Sequence, residues 1–567
     1  MIIDGKPLVP DFPQAPQQIS IYQATGILGR LKRPKDNADL MQHCRLDDPV
    51  VRVWALSTIL LRTNVIEDDV LDASMQAAQY SAHLRSLLMP HLLKSLRFDL
   101  VPLIQQFEEQ THAETGRLQG LLNRALVSND YLAQVGLHEK LFLQTGHLLH
   151  VVQARDVAAR HLNWKDALKY LLRAIFTHPE RLQASVMSLL NLLEGEDARA
   201  EFKTIAEVIS PNQDIMLTVV YAAAQLQYWN GEYARAINIL QESGALDLAQ
   251  DRLLSRFCNL IALCHEKDGD FPEAAKWFQQ QNDATSPEEP TSQHYVEGVQ
   301  RRAALNIPAL PVDENLNHFI MTGFTRSGTT LLENVLSSHP DVVTCEEPQS
   351  FHKSLQTAFH LNLTEDPEKS NMALRALFHR TLYYQDLGRY VNKPNPKVII
   401  DKTPMMGGNI KYLEKLMPQK RYIFSIRHPY DVVLSNYKQI YNQIPEMIAF
   451  NSIYESCVQY DFVMRQWFDV FGGQDERVFY VVYDELVNDF ETVVRGALDH
   501  LGVGWSDAVS DFAKVSSNRA VRTPSYAKVR QGLGIGVQTT RQDYDFLFDA
   551  RCRKLLDPWV ERHGYGI

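Results

Sequence analysis

Residues 318–340 read HFIMTGFTRSGTTLLENVLSSHP, an apolar run that passes through a glycine-containing turn straight into a helical pattern. A strand that hands over to a helix so abruptly is the opening of a crossover connection, which commits this part of the chain to a sheet with helices packed on it. Three further short runs follow, KVIIDK at 397–402, RYIFSIR at 421–427 and VFYVVYDEL at 478–486, each rich in β-branched or aromatic residues and separated by helical patterns. That alternation predicts a mainly parallel sheet with helices on its faces. Sites in such folds sit at the carboxyl ends of the strands, so the residues just beyond each run matter most.

The loop from Gly323 to Thr330 has the spacing GxxxxG followed by Thr329-Thr330, which is similar to a Walker A loop whose lysine position holds threonine. The lysine of that loop reaches the β- and γ-phosphates and the next hydroxyl binds Mg²⁺, so its absence argues against nucleotide hydrolysis or a kinase. What remains is a cradle. Gly328 permits close backbone approach, the amides opening the helix point at an anion, and Arg326, Ser327, Thr329 and Thr330 add donors. Such a cradle suits a compact diester-like group carrying fewer charges than a nucleoside triphosphate. SGTT could serve merely as a helix cap, but its strand-turn-helix setting favours the anion site.

TRSGTTLLENVLSSHPDV resembles the 5′-phosphosulfate loop of sulfotransferases, which use 3′-phosphoadenosine 5′-phosphosulfate (PAPS). The resemblance implies that Arg326, Ser327, Gly328, Thr329, Thr330 and Leu331 hold the donor. The family's second signature, an arginine and a serine eight residues later that bind the 3′-phosphate, matches Arg427 and Ser435 in SIRHPYDVVLSNY. Arg427 also follows a predicted strand and Ser435 falls two turns along the next helix, a placement that disfavours a plain surface pair with Asp431. VIIDKTP puts Lys402 at a strand end, where the family, and tyrosylprotein sulfotransferases in particular, carries a lysine near the transferring sulfuryl group. VVYDELVNDFE with HLGVGW matches the family's tyrosine-acid-leucine element and implies Tyr483 near the nucleotide. RTPSYAKVRQGL resembles the segment that closes over the donor, implying Ser525, Lys528 and Arg530, although GVQTTRQDY stands where bacterial relatives carry glycine-arginine-tryptophan. The resemblance spans about residues 317–567 and implies a P-loop-like α/β fold.

Transfer in line to an acceptor hydroxyl requires a base for the acceptor's proton and cations for charge growing on the leaving phosphate. Arg326, Lys402 and the loop amides supply the second need. For the first, Glu346 and Glu347 follow the predicted strand DVVTC. In tyrosylprotein sulfotransferases the base is the second glutamate of such a pair, which by that match is Glu347. Glu346 and His352 remain the alternatives. Gln349 stands where the tyrosine enzymes have an arginine, so the acceptor stays open among a peptide tyrosine, a saccharide and a small phenol. The competing class is a helical-repeat scaffold whose transferase domain is inactive; retention of loop, arginine-serine pair, lysine and glutamate disfavours it.

The 567 residues are too many for one ordinary core. From about residue 47 to 282 the pattern is helical, and three aromatic-alanine pairs, Trp164/Ala167, Tyr233/Ala236 and Phe271/Ala274, recur 69 and then 38 residues apart. These separations are about two repeats and one repeat of the roughly 34-residue tetratricopeptide period, and the segment 130–285 resembles such an array. A plain helical bundle is the alternative. The expected division is an arm with a first helix over 1–46, a helical repeat domain over 47–285, a proline-punctuated linker over 286–312 and the transferase domain over 313–567: an α array joined to an α/β domain.

A net charge of −11 predicts no partnership with nucleic acid or anionic membrane, while a local pocket for a small polyanion stays available. Six scattered cysteines lack metal spacing, so no metal is expected and buried thiols are. The start, MIIDGKPLVPDFPQAPQQ, has no apolar segment of a secretory signal, and no run suits a membrane span, which predicts a cytoplasmic protein. The predicted partners are a hydroxyl-bearing acceptor and a protein bound by the repeats, with a homodimer allowed.

Overall fold

The computed structural model describes residues 2–3, 6–7, 36–44, 48–63, 66–94, 100, 112–127, 131–161, 164–177, 182–285, 290–312, 317–360, 372–388, 390–391, 393, 395–512 and 541–565. By packing, the chain falls into two compact units, one running up to Ala222 and the other starting at Ala223. The change of hydrophobic period near residue 312 and this packing boundary therefore mark different positions.

From residue 37 onward the first unit is built of helices, among them Pro49–Arg62, Ala82–Lys94, Tyr131–Thr145 and Trp164–Thr177. Its core gathers Val53, Trp54, Leu56, Leu84, Leu88 and Phe142. A charged knot fixes the helices in place. Asp48 caps Pro49–Arg62 by accepting from the Val50 and Val51 amides at 2.9 and 3.2 Å, and its other oxygen accepts from Arg173 Nε at 2.7 Å. Arg173, itself buried, forks onto Glu139 at 2.6 and 3.1 Å. Removing either carboxylate would leave a buried charge undercompensated. The helices beginning at Trp164, Tyr233 and Phe271 all start on the aromatic of a recurring pair, and Ala167, Ala236 and Ala274 are fully buried, as close helix crossings need.

The second unit opens with α1 (Tyr233–Glu242), α2 (Asp251–Lys267), α3 (Phe271–Asp283) and α4 (Gln293–Ala303). The α2–α3 turn works because Gly269 takes φ +79 and Asp270 then caps α3 by accepting from the Glu273 amide. Helix α4 occupies part of the stretch expected to be a linker. Its Tyr295 and Val299, spaced i and i+4, are buried, a short apolar stripe masked in the sequence by the prolines and polar residues on either side.

Five strands follow: β1 (His318–Gly323), β2 (Val342–Glu346), β3 (Val398–Lys402), β4 (Arg421–Ile426) and β5 (Val478–Val482). They form one parallel sheet in the order β2-β3-β1-β4-β5. The helices between them are α5 (Thr329–Ser338), α6 (Ser350–His360), α7 (Met372–Gly388), α8 (Ile410–Leu416), α9 (Pro429–Tyr437) and α10 (Ile453–Phe471). After β5 come α11 (Tyr483–Asn488), α12 (Phe490–Leu501) and α13 (Ala550–Arg562). The connection from β1 leaves toward one edge and that from β4 toward the other, so a crevice opens at the carboxyl ends of β1 and β4.

Alternate residues of each strand enter opposite cores. Phe319, Met321 and Ile423 pack with Leu332 and Val335 of α5 on one face. Ile320, Tyr422 and Phe424 pack with Trp467 of α10 on the other, in a cluster that also takes in Ala274 and Phe278 of α3. The hairpin of α2 and α3 thus shares a core with the sheet. Trp467 stacks on Phe424 with ring centroids 4.2 Å apart and is fully buried. Trp467→Ala is expected to cost about 3–5 kcal/mol, read from denaturant unfolding; a loss below about 1 kcal/mol would show that this stack does not anchor the face.

Candidate active site

The register brings the ends of all five strands level. Gly323 pairs with Ser425, Met321 with Lys402, Glu346 with Lys402 and Ile426 with Val482. The loop after β1, Glu346-Glu347 after β2, Lys402 ending β3, Arg427 after β4 and Tyr483 after β5 therefore line one edge.

The loop after β1 is shaped by two left-handed residues, Arg326 at φ +71 and Gly328 at φ +92. Gly323 is forced by proximity, since a Cβ there would lie 2.6 Å from the Ser425 carbonyl oxygen. The loop's carbonyls are tied back to its neighbours. Gly323 O accepts from the Met405 amide at 2.8 Å, Thr325 O from Asn436 Nδ2 at 3.0 Å and Arg326 O from Arg427 Nη1 at 3.4 Å. Gly328 caps α5 with no side chain folded back on the first turn, so the opening amides of that helix face the crevice. A Cβ on Gly328 would lie 2.4 Å from Cδ2 of Tyr483 and fill the cradle.

Around this cradle the cations gather. Arg326 Nε donates to Ser435 Oγ at 3.1 Å, and the Arg427 guanidinium lies 4.7 Å over the Tyr483 ring. Burial holds the Arg326 guanidinium below its ordinary pKa, and neighbouring Arg427 adds to that depression, as expected for two cations poised for one anion. Ser327, Thr329, Thr330 and Leu331 are buried beside them. Beyond β2 and β3 the balance reverses. Lys402, 0% exposed, donates to Glu347 Oε1 at 3.0 Å and stands 3.8 Å from Glu346 Oε1. Burial alone would lower its pKa, but Glu347, Glu346 and Glu333 outweigh that and hold the ammonium above its usual range. Glu347 takes φ +43, its amide donating to Lys402 O at 2.8 Å, and its side chain is 43% exposed. A strained backbone at that position, costing of order 1–3 kcal/mol, turns the carboxylate toward the lysine while leaving it open to solvent.

Of the site residues predicted within the described range, Arg326, Ser327, Gly328, Thr329, Thr330, Glu347, Lys402, Arg427 and Tyr483 fall on this edge, Ser435 joins it from two turns into α9 through its bond to Arg326, and Leu331 packs into the core beneath α5. Ser525, Lys528 and Arg530 lie outside the described residues. His352 is exposed on the first turn of α6, its ring edge-on to Phe351. Sequence reasoning missed three residues. Tyr441 donates to Asn436 Oδ1 at 2.8 Å, and its phenol, raised by burial, feels both Arg326 and Glu347. Asn436 was visible only as the neighbour of Ser435. Glu333 is 1% exposed and accepts from Thr344 Oγ1 at 2.7 Å; its signal was a lone carboxylate in the apolar run TLLENVL. Among the described residues no group of three or more His, Cys, Asp or Glu could hold a metal, and no helix is long and apolar enough to cross a membrane.

Residues 319–507 match the model of the sulfotransferase family, so this region carries a sulfotransferase-family domain with the parallel α/β architecture described above. An uncharacterized protein of Aquifex aeolicus is 26% identical over 264 residues, covering 42% of this chain and 33% of that protein. A protein-tyrosine sulfotransferase of Drosophila melanogaster is 27% identical over 201 residues, covering 33% of this chain and 38% of its own length. The chain thus spans between a third and two-fifths of these relatives. Among solved structures, the sulfotransferase domain of the Synechococcus PCC 7002 olefin synthase aligns at 18% identity and a TM-score of 0.30, covering 45% of this chain and 98% of that one.

Beneath the site Asp401 is wholly buried, accepting from Tyr383 Oη at 2.6 Å and Thr403 Oγ1 at 2.7 Å. Burial raises its pKa to about 6, with Tyr383, Thr403 and Lys402 opposing. Because the folded value lies above the unfolded one of about 3.9, the stabilisation it brings is full below pH 4 and is lost as pH rises through about 6. In Asp401→Asn the unfolding free energy should lack this fall. The difference between variant and wild type should change between pH 4 and 6 and level off above 7; a constant difference across that window would refute the assignment.

Proposed function

Taking the sulfotransferase-family domain over residues 319–507 as premise, we propose that the protein transfers a sulfuryl group from PAPS to an acceptor hydroxyl, with Glu347 as base. The observation that carries this reading is the division of the crevice: Arg326, Arg427 and the uncapped opening of α5 on one side, and Glu347 held 3.0 Å from Lys402 on the other. A cradle that a single Cβ would fill suits a backbone-bound phosphosulfate, and the second arginine with Ser435 suits a further phosphate. When bound, the donor supplies an activated sulfuryl group whose departure leaves charge on a phosphate.

The protein's own groups then divide the work. Glu347, half exposed, is reachable by an acceptor hydroxyl and takes its proton on a carboxylate oxygen. While ionised, Glu347 holds Lys402; as it gains the proton its pull weakens, which frees the ammonium's donors for the charge growing on the leaving side. Base and electrophilic catalyst are thereby coupled through one ion pair. Arg326 and the α5 amides meet the same charge from the loop side. Tyr441, whose phenol interacts electrostatically with both Arg326 and Glu347, would face an acceptor approaching Glu347.

A peptide tyrosine is the first acceptor to test, since the Drosophila relative carries that specificity in its name. The tetratricopeptide-like helices would bind the protein that bears it, in the cytoplasm. With PAPS and a tyrosine peptide, the product should gain 80 Da by mass spectrometry. Glu347→Gln should lower turnover by about 10²–10⁴-fold while PAPS still binds by calorimetry; full turnover would place the base elsewhere. Arg326→Ala and Arg427→Ala should each weaken donor binding by tenfold or more, roughly the worth of one charged hydrogen bond. Unchanged binding in both would overturn the donor site.

A further inference from the structure

The helix α9 starts two residues after Arg427 and carries Ser435 and Asn436, so its placement sets the arginine-serine pair. A helix C-terminus leaves carbonyls without intrahelical partners. Here those partners come from the repeat hairpin. Tyr437 O accepts from Asn282 Nδ2 at 3.0 Å, Lys438 O from Asn259 Nδ2 at 3.2 Å and Gln439 O from Gln281 Nε2 at 3.3 Å. The three amides are also chained to one another: Asn259 Nδ2 donates to Gln281 Oε1 at 2.6 Å and Gln281 Nε2 to Asn282 Oδ1 at 3.1 Å. Gln281 and Asn282 are 0% and 1% exposed.

Apolar packing would tolerate sliding, whereas three successive carbonyls each bound by a side-chain amide, two of them fully buried, fix the helix end along its axis and about it. A shift by one residue would orphan buried polar groups. A second tether reinforces the first. The Lys438 ammonium pairs with Glu266 of α2, and Glu266 also accepts from Tyr544 Oη at 2.8 Å. At the far side the path continues into the loop, through Asn436 Nδ2 to Thr325 O at 3.0 Å and Ser435 Oγ to Arg326 Nε at 3.1 Å.

We infer that the α2–α3 hairpin is part of the donor site: Asn259, Gln281 and Asn282 are positioning residues that hold Ser435 where the donor's 3′-phosphate is read. The inference rests on the PAPS reading above, and it gives the last repeat-like hairpin a role inside the catalytic unit distinct from binding a partner.

The test compares adenosine 3′,5′-bisphosphate with adenosine 5′-monophosphate by calorimetry on the full chain. Wild type should bind the bisphosphate more tightly; if it binds both alike, the donor reading fails and this inference with it. Asn282→Ala should weaken the bisphosphate by about tenfold and leave the monophosphate within twofold, because the 3′-phosphate is read at Ser435 itself, whereas the 5′ group is held chiefly by the α5 amides of a loop that is also tied by Met405 and Arg427. Should Asn282→Ala not fold, the half-buried Asn259→Ala serves, with a smaller shift of the same selectivity. Equal losses for both nucleotides would indicate general loosening and overturn the inference, as would unchanged binding of both in a folded variant.

Discussion

The site depends on one buried ammonium. Lys402 ends the strand next to β1 and has no exposure, and the charges of Glu347, Glu346 and Glu333 outweigh its burial and hold its pKa above the usual range. Three carboxylates near one cation is an excess of negative charge beside a loop flanked by two arginines. The crevice tolerates it because the surplus is kept on the β2–β3 side, while Arg326, Arg427 and the amides of α5 dominate over β1 and β4. Local polarity, and not the molecule's overall charge of −11, decides what each half can bind.

Backbone geometry maintains that separation. Arg326, Gly328, Glu347 and Met405 all take positive φ within this small region, and the amides of Glu347 and Met405 donate to carbonyls at the ends of neighbouring strands, Lys402 and Gly323. Three of the four carry side chains, so the surrounding bonds must over-determine these conformations. The same ladder that fixes the loop fixes Glu347: a displacement of the segment after β3 would move Lys402, Gly323 and Glu347 together.

Much of this was legible in the sequence because the chemistry is local. Arg326 to Leu331 lie on one stretch, Arg427 and Ser435 on one strand-helix junction, and Lys402 at the end of an apolar run, so a short local match to a known family, read beside the strand ends, was enough to nominate them. The mainly parallel sheet followed from the alternation of runs, and all the strand pairs observed in it are parallel, while the strand order and registers were not written in any single run. What escaped depends on contacts remote in the chain. Nothing near Tyr441 or Glu333 states that one will face Arg326 and the other Lys402. Helix α4 was hidden because its buried stripe is only Tyr295 and Val299, and the proline-rich flanks dominated the pattern. The partnership of the α2–α3 hairpin with the sheet was illegible for the same reason: amides in a polar helix face look solvated until a helix end is placed against them.

That hairpin has a temporal meaning as well. Asn282 precedes Tyr437, whose carbonyl it binds, by 155 residues, and Asn259 precedes Lys438 by 179. A chain synthesised from its amino terminus completes the hairpin well before the helix that bears Ser435 leaves the ribosome, and domains tend to form in that order. The later segment therefore emerges to find its docking surface already made, so the order of translation favours the arrangement in which Ser435 meets Arg326.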